Sequence, residues 1–262
     1  MKHQETARIV ANRRLNGAYY QIDLRTPQIA AAVQPGQFVH VQYPDFAHRL
    51  LRRPFSVCDV DASGEILRIV YKVVGEGTAH MAGLAAGQCV DLLGPLGRGF
   101  TLPAPGSTPV IVAGGYGAAA TYLLAARSPV PAHVLIGGRT AEDLLLLEAF
   151  AAAGARVEVS TDDGSRGHRG VVTDLLVRLL GTRPAAPAVY ACGPNPMLRA
   201  VCAAVLARGL DAEVSLDHAM CCGVGACFTC VVRQKTADGA GWEYRRTCLD
   251  GPVFRASQTV WE

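Results

Sequence analysis

Between Ala7 and Phe100 apolar and polar residues alternate in short runs, among them Tyr19–Leu24, Phe38–Gln42, Phe55–Val60 and Ile66–Val73, with Pro, Gly and Asp between them. Period-two runs at that spacing predict the strands of a small antiparallel β-barrel. Gly94–Phe100 reads as a turn-rich linker, and TLPAPGSTP carries the chain to a different rhythm at Val110. From there short apolar runs (Val110–Ala113, His133–Ile136, Arg156–Ser160, Ala188–Ala191) alternate with helical stretches, one ending near Arg127, one over Glu142–Ala153 and one from about Val172. Strands alternating with helices predict a doubly wound parallel α/β sheet. A last run, Glu213–Leu216, delivers the chain to a cysteine-rich tail. The fold class expected is mixed β and α/β, with the barrel over 1–101, the parallel sheet over 102–216 and a small loop domain over 217–262.

The tail carries the most specific chemistry. Cys222, Cys227 and Cys230 stand as C-x4-C-x2-C, with Cys248 beyond a hairpin-like segment. Three thiolates on one tight loop and a fourth from a distance is the plant-type spacing for a [2Fe–2S] cluster. Gly223 and Gly225 let the loop curl so that amide N–H groups point at the cluster sulfurs. A zinc site is the alternative, but zinc usually takes two short chelating pairs, one from each side. Cys221 falls out of the four-residue register and reads as a bystander.

Two stretches of the barrel suit phosphate and flavin. In LLRRPFSV, Arg53 and Ser56 stand three residues apart at a strand start, a guanidinium for a pyrophosphate and a hydroxyl for an isoalloxazine ring, with a solvated arginine pair as the more common reading of the motif alone. In YKVVGEGT, Gly75–Thr78 turns into a helix whose amides, with the Thr78 hydroxyl, suit a phosphate; a plain helix cap by Thr78 is the bland reading. In the second domain Gly115-x-Gly117-x-x-Ala120 follows a strand and opens a helix, the context for a dinucleotide. The acid that ends the second strand of a standard NAD site is missing, and Arg139 there fits a ribose, a 2′-phosphate or solvent equally, which leaves NAD and NADP both open. Cys192 sits at a parallel strand's carboxyl end, where ligands dock, or is a buried thiol.

Composition narrows the classes. The chain has 262 residues, half of them hydrophobic and 18% charged, which predicts an ordered protein with a sizeable core. A net charge of +3 and a pI near 8.4, without a basic run, argue against nucleic acid. MKHQETARIV has no apolar signal core, and the most apolar run, Val110–Ala126, is broken by glycines and too short for a membrane span, so a cytoplasmic protein without membrane insertion is expected. Of nine cysteines, Cys58, Cys89, Cys192, Cys202 and Cys221 are expected as buried thiols rather than disulfides. The seven histidines show no metal-ligand spacing and read as surface or core residues, and no hydrolytic constellation is present.

The order of parts resembles the electron-transfer subunits of NAD-linked (type B) dihydroorotate dehydrogenases, iron–sulfur flavoproteins of the ferredoxin reductase superfamily. The likeness runs through LLRRPFSV (50–57), YKVVGEGT (71–78), GPLGRGF (94–100), AGGYGAAA (113–120), TDDGSRGHRGVVTDLL (161–176), CGPNPML (192–198) and SLDHAMCCGVGACFTC with TCLDGPVF. It implies FAD on Arg53, Pro54, Phe55, Ser56, Val70, Tyr71, Lys72, Gly77 and Thr78, and the cluster on Cys222, Cys227, Cys230 and Cys248. It also implies NAD over Gly114, Gly115 and Gly117, with Cys192 and Gly193 near the nicotinamide. The implied partner is an FMN-bearing catalytic subunit, two of each forming a heterotetramer in pyrimidine biosynthesis. Ala120, Arg98 and His218 depart from the family pattern. A nicotinamide exchanges a hydride and a cluster single electrons, so a flavin must stand between them. With those groups housed, no chain is left for an organic substrate, and the outlet must be another protein. A related subunit serving another flavoenzyme (ferredoxin-linked, sulfite reductase or dihydropyrimidine-type) and a zinc or redox-sensing module are the competing expectations.

Overall fold

A computed structural model describes residues 1–43, 51–216 and 218–261. Leu50, which heads the LLRRPFSV motif, His48 and Asp217 lie outside the described residues. The first domain holds β1 (His3–Asn16), β2 (Tyr19–Arg25), α1 (Pro27–Ala32), β3 (Phe38–Gln42), β4 (Arg53–Ser56), β5 (Asp59–Val60), β6 (Ile66–Lys72), α2 (Glu76–Gly83) and β7 (Cys89–Leu96). Its seven strands form an antiparallel half-barrel in the order β4-β3-β7-β1-β2-β6-β5. Alternation decides what each strand faces. On β3, Val39 and Val41 enter the barrel core, while Phe38 on the opposite face joins a small cluster containing Cys230 and Cys248. On β6, Leu67, Ile69 and Tyr71 point inward, and Val70 packs with the second domain.

The expected Phe55–Val60 run divides into β4 and β5, and the Gly94–Phe100 linker begins as the end of β7. The helix expected to follow the Gly75–Thr78 turn takes in most of the turn itself, starting at Glu76. Cys89, expected to be buried, is exposed. It is the first residue of β7, opposite Arg8 in the ladder, and the buried positions alternate with it.

The second domain comprises β8 (Thr108–Gly114), α3 (Gly117–Ala126), β9 (His133–Gly138), α4 (Leu147–Ala152), β10 (Arg156–Thr161), β11 (His168–Arg169), α5 (Val172–Gly181), β12 (Pro187–Cys192), α6 (Asn195–Leu206) and β13 (Ala212–Ser215). Strands β11-β10-β9-β8-β12-β13 are parallel. Both faces of β8 are covered: Ile111 and Ala113 meet α3 and α4, and Val110 and Val112 meet α5 and α6. A strand buried on both faces reads as an unbroken apolar run, which is why Val110–Ala113 stood out. The helix expected over Glu142–Ala153 is shorter: Ala141–Asp143 form one 3-10 turn, and Leu146 at φ 61° precedes α4.

The tail contributes the hairpin β14 (Val231–Lys235) and β15 (Trp242–Arg246), then β16 (Val253–Arg255). β16 pairs antiparallel with β13, stitching the tail onto the edge of the parallel sheet. Among the described residues no helix is long and apolar enough to cross a membrane.

Candidate functional site

The half-barrel curls until edge strand β4 and strand β6 line one cavity with α2. All nine residues assigned to FAD border this space of about 460 Å³: Arg53–Ser56, Val70–Lys72, Gly77 and Thr78. Gly77 is there for space. A Cβ on it would stand 2.0 Å from Arg53 Nε, so the guanidinium lies against bare backbone at the start of α2. The Thr78 hydroxyl accepts from the amides of Val74 (2.9 Å) and Gly75 (3.2 Å), fixing the turn into the helix. Tyr71 is braced by Phe55 edge-on at 5.9 Å and by Tyr20 stacked at 5.8 Å.

A second cavity of about 520 Å³ opens at the carboxyl ends of β8, β9, β10 and β12, where open α/β sheets take ligands. Gly114, Gly115, Gly138, Arg139, Asp162 and Met197 line it, and Tyr19 and Lys72 of the half-barrel close one side. Gly117, Cys192 and Gly193 pack behind that wall: a Cβ on Gly117 would lie 2.1 Å from the Cys192 carbonyl oxygen. The Cys192 side chain is buried. Lys72 and Tyr116 border both cavities, which therefore adjoin.

At this junction Tyr19 donates to Asp143 Oδ1 (2.8 Å), and Lys72 Nζ stands 3.3 Å from both. Burial pushes the Asp143 carboxyl up, but hydrogen bonds from Tyr19 and Lys72 outweigh it and hold the group below its ordinary range. Burial likewise opposes the charge on Lys72, yet the bonds to Tyr19 and Asp143 raise its pKa. Arg139 is four-fifths exposed and 3.8 Å from Asp143. Lys72, expected as a flavin residue alone, also faces the nicotinamide side. Sequence reasoning did not find Tyr19 and Asp143, because their contact joins two domains. Tyr116 and Met197 lay inside quoted motifs.

The β14–β15 hairpin explains how a distant cysteine reaches the loop. Val231 pairs with Arg246, and the Thr247 amide donates to the Cys230 carbonyl (2.9 Å), so Cys230 and Cys248 come together where the strands end. Burial and contact with Cys230 push the Cys248 thiol up to about 12. On the loop, hydrogen bonds from Thr229 and Cys222 hold the Cys227 thiol down to about 6. Cys221, partly exposed, lies beside Cys227. The Cys248 thiol thus meets Cys230, and Cys227 lies beside Cys221 and Cys222, while among the described residues no group of three His, Cys, Asp or Glu converges tightly enough to hold a metal ion. The donor set nevertheless suits an iron–sulfur cluster. Gly223 and Gly225 take positive φ (70° and 86°), and the Ala226 amide donates to Cys222 Sγ at 3.3 Å, the N–H to sulfur contact such clusters use.

Of the three departures, Ala120 is buried in α3, Arg98 bridges by its backbone to Gly251, and His218 lines a separate cavity with Arg199 and Arg233.

A half-barrel with a flavin-shaped cleft, an adjoining dinucleotide crevice and a four-thiol tail define a ferredoxin-reductase-like flavoprotein with its own iron–sulfur module. Electron transfer subunits of dihydroorotate dehydrogenase B (NAD(+)) are 39% identical in Desulforamulus reducens, over 93% of each chain, and 38% identical in Enterococcus faecalis, over 99% of each. The chain belongs to that family. The iron–sulfur cluster binding domain of dihydroorotate dehydrogenase B matches residues 217–260, and the oxidoreductase FAD-binding domain matches 8–100. FAD, an iron–sulfur cluster and NAD are accordingly its cofactors. Among solved structures, the NADH-dependent reduced ferredoxin-NADP oxidoreductase superposes with a TM-score of 0.85 at 27% identity, over 98% of this chain and 90% of that one. The ferredoxin reductase of carbazole 1,9a-dioxygenase, at 22% identity and TM-score 0.68 over 80% and 67%, shares the fold.

Proposed function

We propose that this chain carries electrons between a dihydroorotate-oxidising catalytic subunit and NAD. The observation that supports it is the common wall, Lys72 and Tyr116, between the flavin cleft and the nicotinamide crevice, with Cys230 and Cys248 packed on Phe38 of β3, the strand next to β4. FAD, when bound, exchanges a hydride with nicotinamide and single electrons with the cluster. Arg53, backed by Gly77, holds the pyrophosphate; Pro54, Phe55, Ser56, Val70, Tyr71, Lys72 and Thr78 shape the remaining contacts. Gly114, Gly115, Gly117 and Gly193 let the dinucleotide approach the strand ends, and Cys192 supports the nicotinamide from behind. Tyr19 and Asp143 hold the Lys72 ammonium at the junction of the two cavities, where it would face both cofactors. Cys222, Cys227, Cys230 and Cys248 would hold the cluster. Residues 1–101, 102–216 and 217–262 are the FAD, nicotinamide and cluster domains. The partner bears FMN and assembles as two copies of each subunit, in the cytoplasm.

The test is co-expression with the catalytic subunit and assay of dihydroorotate-dependent NAD reduction, beside NADH oxidation by a dye with this chain alone. Dye reduction without dihydroorotate turnover would move the chain to another partner. The likeness to the reduced ferredoxin-NADP oxidoreductase favours a second reading, in which the partner is a further flavin subunit linked to ferredoxin. Ferredoxin-dependent turnover in the assembled complex would select it.

A further inference from the structure

His40 has no role in the function just described, yet its setting is unusual. The residue is fully buried, and neither ring nitrogen has a hydrogen-bond partner among the described residues. Buried polar atoms in folded proteins are nearly always paired, so an orphaned imidazole points to a missing partner. The direction of the ring identifies it. A Cβ built on Gly223 would find Cε1, Nε2 and Nδ1 of His40 as its three nearest atoms, at 2.6, 2.7 and 2.9 Å. The N–C–N edge of the ring therefore faces the loop immediately after Cys222. On the same face of β3, Phe38 packs against Cys230 and Cys248, and its ring lies 5.7 Å from that of His40. In the ladder His40 stands opposite Pro54 of the flavin strand.

We infer that His40 is a hydrogen-bond donor to the iron–sulfur cluster, its ring N–H directed at a sulfur on the Cys222 side. The inference rests on the four-cysteine reading of the loop. A neutral imidazole carries one N–H in either tautomer, so the edge facing Gly223 always offers a donor. A donor to sulfur favours the reduced, more negative cluster and raises its potential. His40 then sets the level at which single electrons pass between the flavin strand and the outlet.

The experiment uses the holoprotein labelled with 15N-histidine and reduced with dithionite. Pulsed EPR is expected to show a histidine nitrogen coupled to the cluster spin, and His40→Leu to lose it. The one-electron reduction equilibrium of His40→Leu should move against reduction by about tenfold, about 59 mV. His40→Asn, which keeps an N–H, should recover part of that shift. An unchanged potential in His40→Leu with its cluster intact would overturn the inference. If His40→Leu does not retain a cluster, the labelled wild type decides: histidine coupling supports the assignment and silence overturns it. A wild-type protein with no [2Fe–2S] signal at all would instead sink the four-cysteine reading, and this inference with it.

Discussion

The contact of Arg53 with Gly77 makes a demanding prediction about Gly77→Ala. The new methyl would overlap Arg53 Nε at 2.0 Å, Cζ at 2.5 Å and Nη2 at 2.7 Å. Those atoms are the far end of a flexible side chain, so the fold can yield by swinging the guanidinium away. Gly77 lies in α2 and has no positive φ, so the backbone accepts alanine. Helix propensity even favours it, by up to about 1 kcal/mol in a helix interior and less in the first turn. The loss falls on the flavin. Displacing Arg53 removes a charge-assisted hydrogen bond to phosphate, about 1.5–3 kcal/mol, or about 10- to 150-fold in affinity. The assay pairs FAD titration of the apoprotein, followed by fluorescence quenching, with thermal unfolding of the same apoprotein. Weakened FAD binding at unchanged apoprotein stability is expected. Unchanged FAD affinity would refute the placing of Arg53 on the phosphates. A collapsed apoprotein would refute the claim that only the guanidinium moves.

Gly117→Ala should behave in the opposite way, because its methyl meets the Cys192 carbonyl oxygen at 2.1 Å and backbone cannot swing aside; overpacking of this kind costs about 1–3 kcal/mol, read as a lower Tm with weakened NAD binding. Cys222→Ser should abolish the visible absorption of the cluster and Cys221→Ser should leave it; the reverse pattern would shift the ligand register by one residue. Asp143, held below its ordinary range, contributes stability that is present above that range and lost as pH falls through it. Lys72, raised, contributes stability that is present below its ordinary value and lost at higher alkaline pH. Asp143→Asn should therefore remove about 1 kcal/mol near neutrality and flatten the chemical-denaturation stability at both extremes; an undiminished acid limb would dissociate the Tyr19–Lys72–Asp143 network from stability.

What was legible in the chain was local. The flavin cleft was readable because Arg53–Ser56 and Gly75–Thr78 are each complete within a few residues, and β3 was readable because its alternation is clean. β1 was not read as one strand: in HQETARIVANRRLN charged residues punctuate both faces, and the pairing with β2 and β7 overrides the pattern. The Glu142–Ala153 helix was overextended because no sequence signal marks the positive φ of Leu146. The wall of the nicotinamide crevice was invisible for a stronger reason. Tyr19 and Asp143 lie 124 residues apart, and only docking of the two domains makes them neighbours. His40 read only as one of the surface or core histidines, since nothing local announces that its polar edge meets the cysteine loop.

The half-barrel emerges as a spacer with two working faces. Its edge strand β4 carries four of the residues proposed for the flavin and curls towards β6, whose Lys72 lines both cavities. The neighbouring strand β3 turns Phe38 and His40 outward onto the cysteine loop. Adjacent strands lie about 4.8 Å apart, so the flavin strand and the strand supporting the cluster differ in position by a single ladder spacing. β16, paired with β13, and the Arg98 amide, bonded to the Gly251 carbonyl, tie the tail to the parallel sheet and to the segment that follows β7. Under the proposed function, the residues that would meet the flavin and those that would meet the cluster then sit on strands of one sheet, β3, β4 and β6.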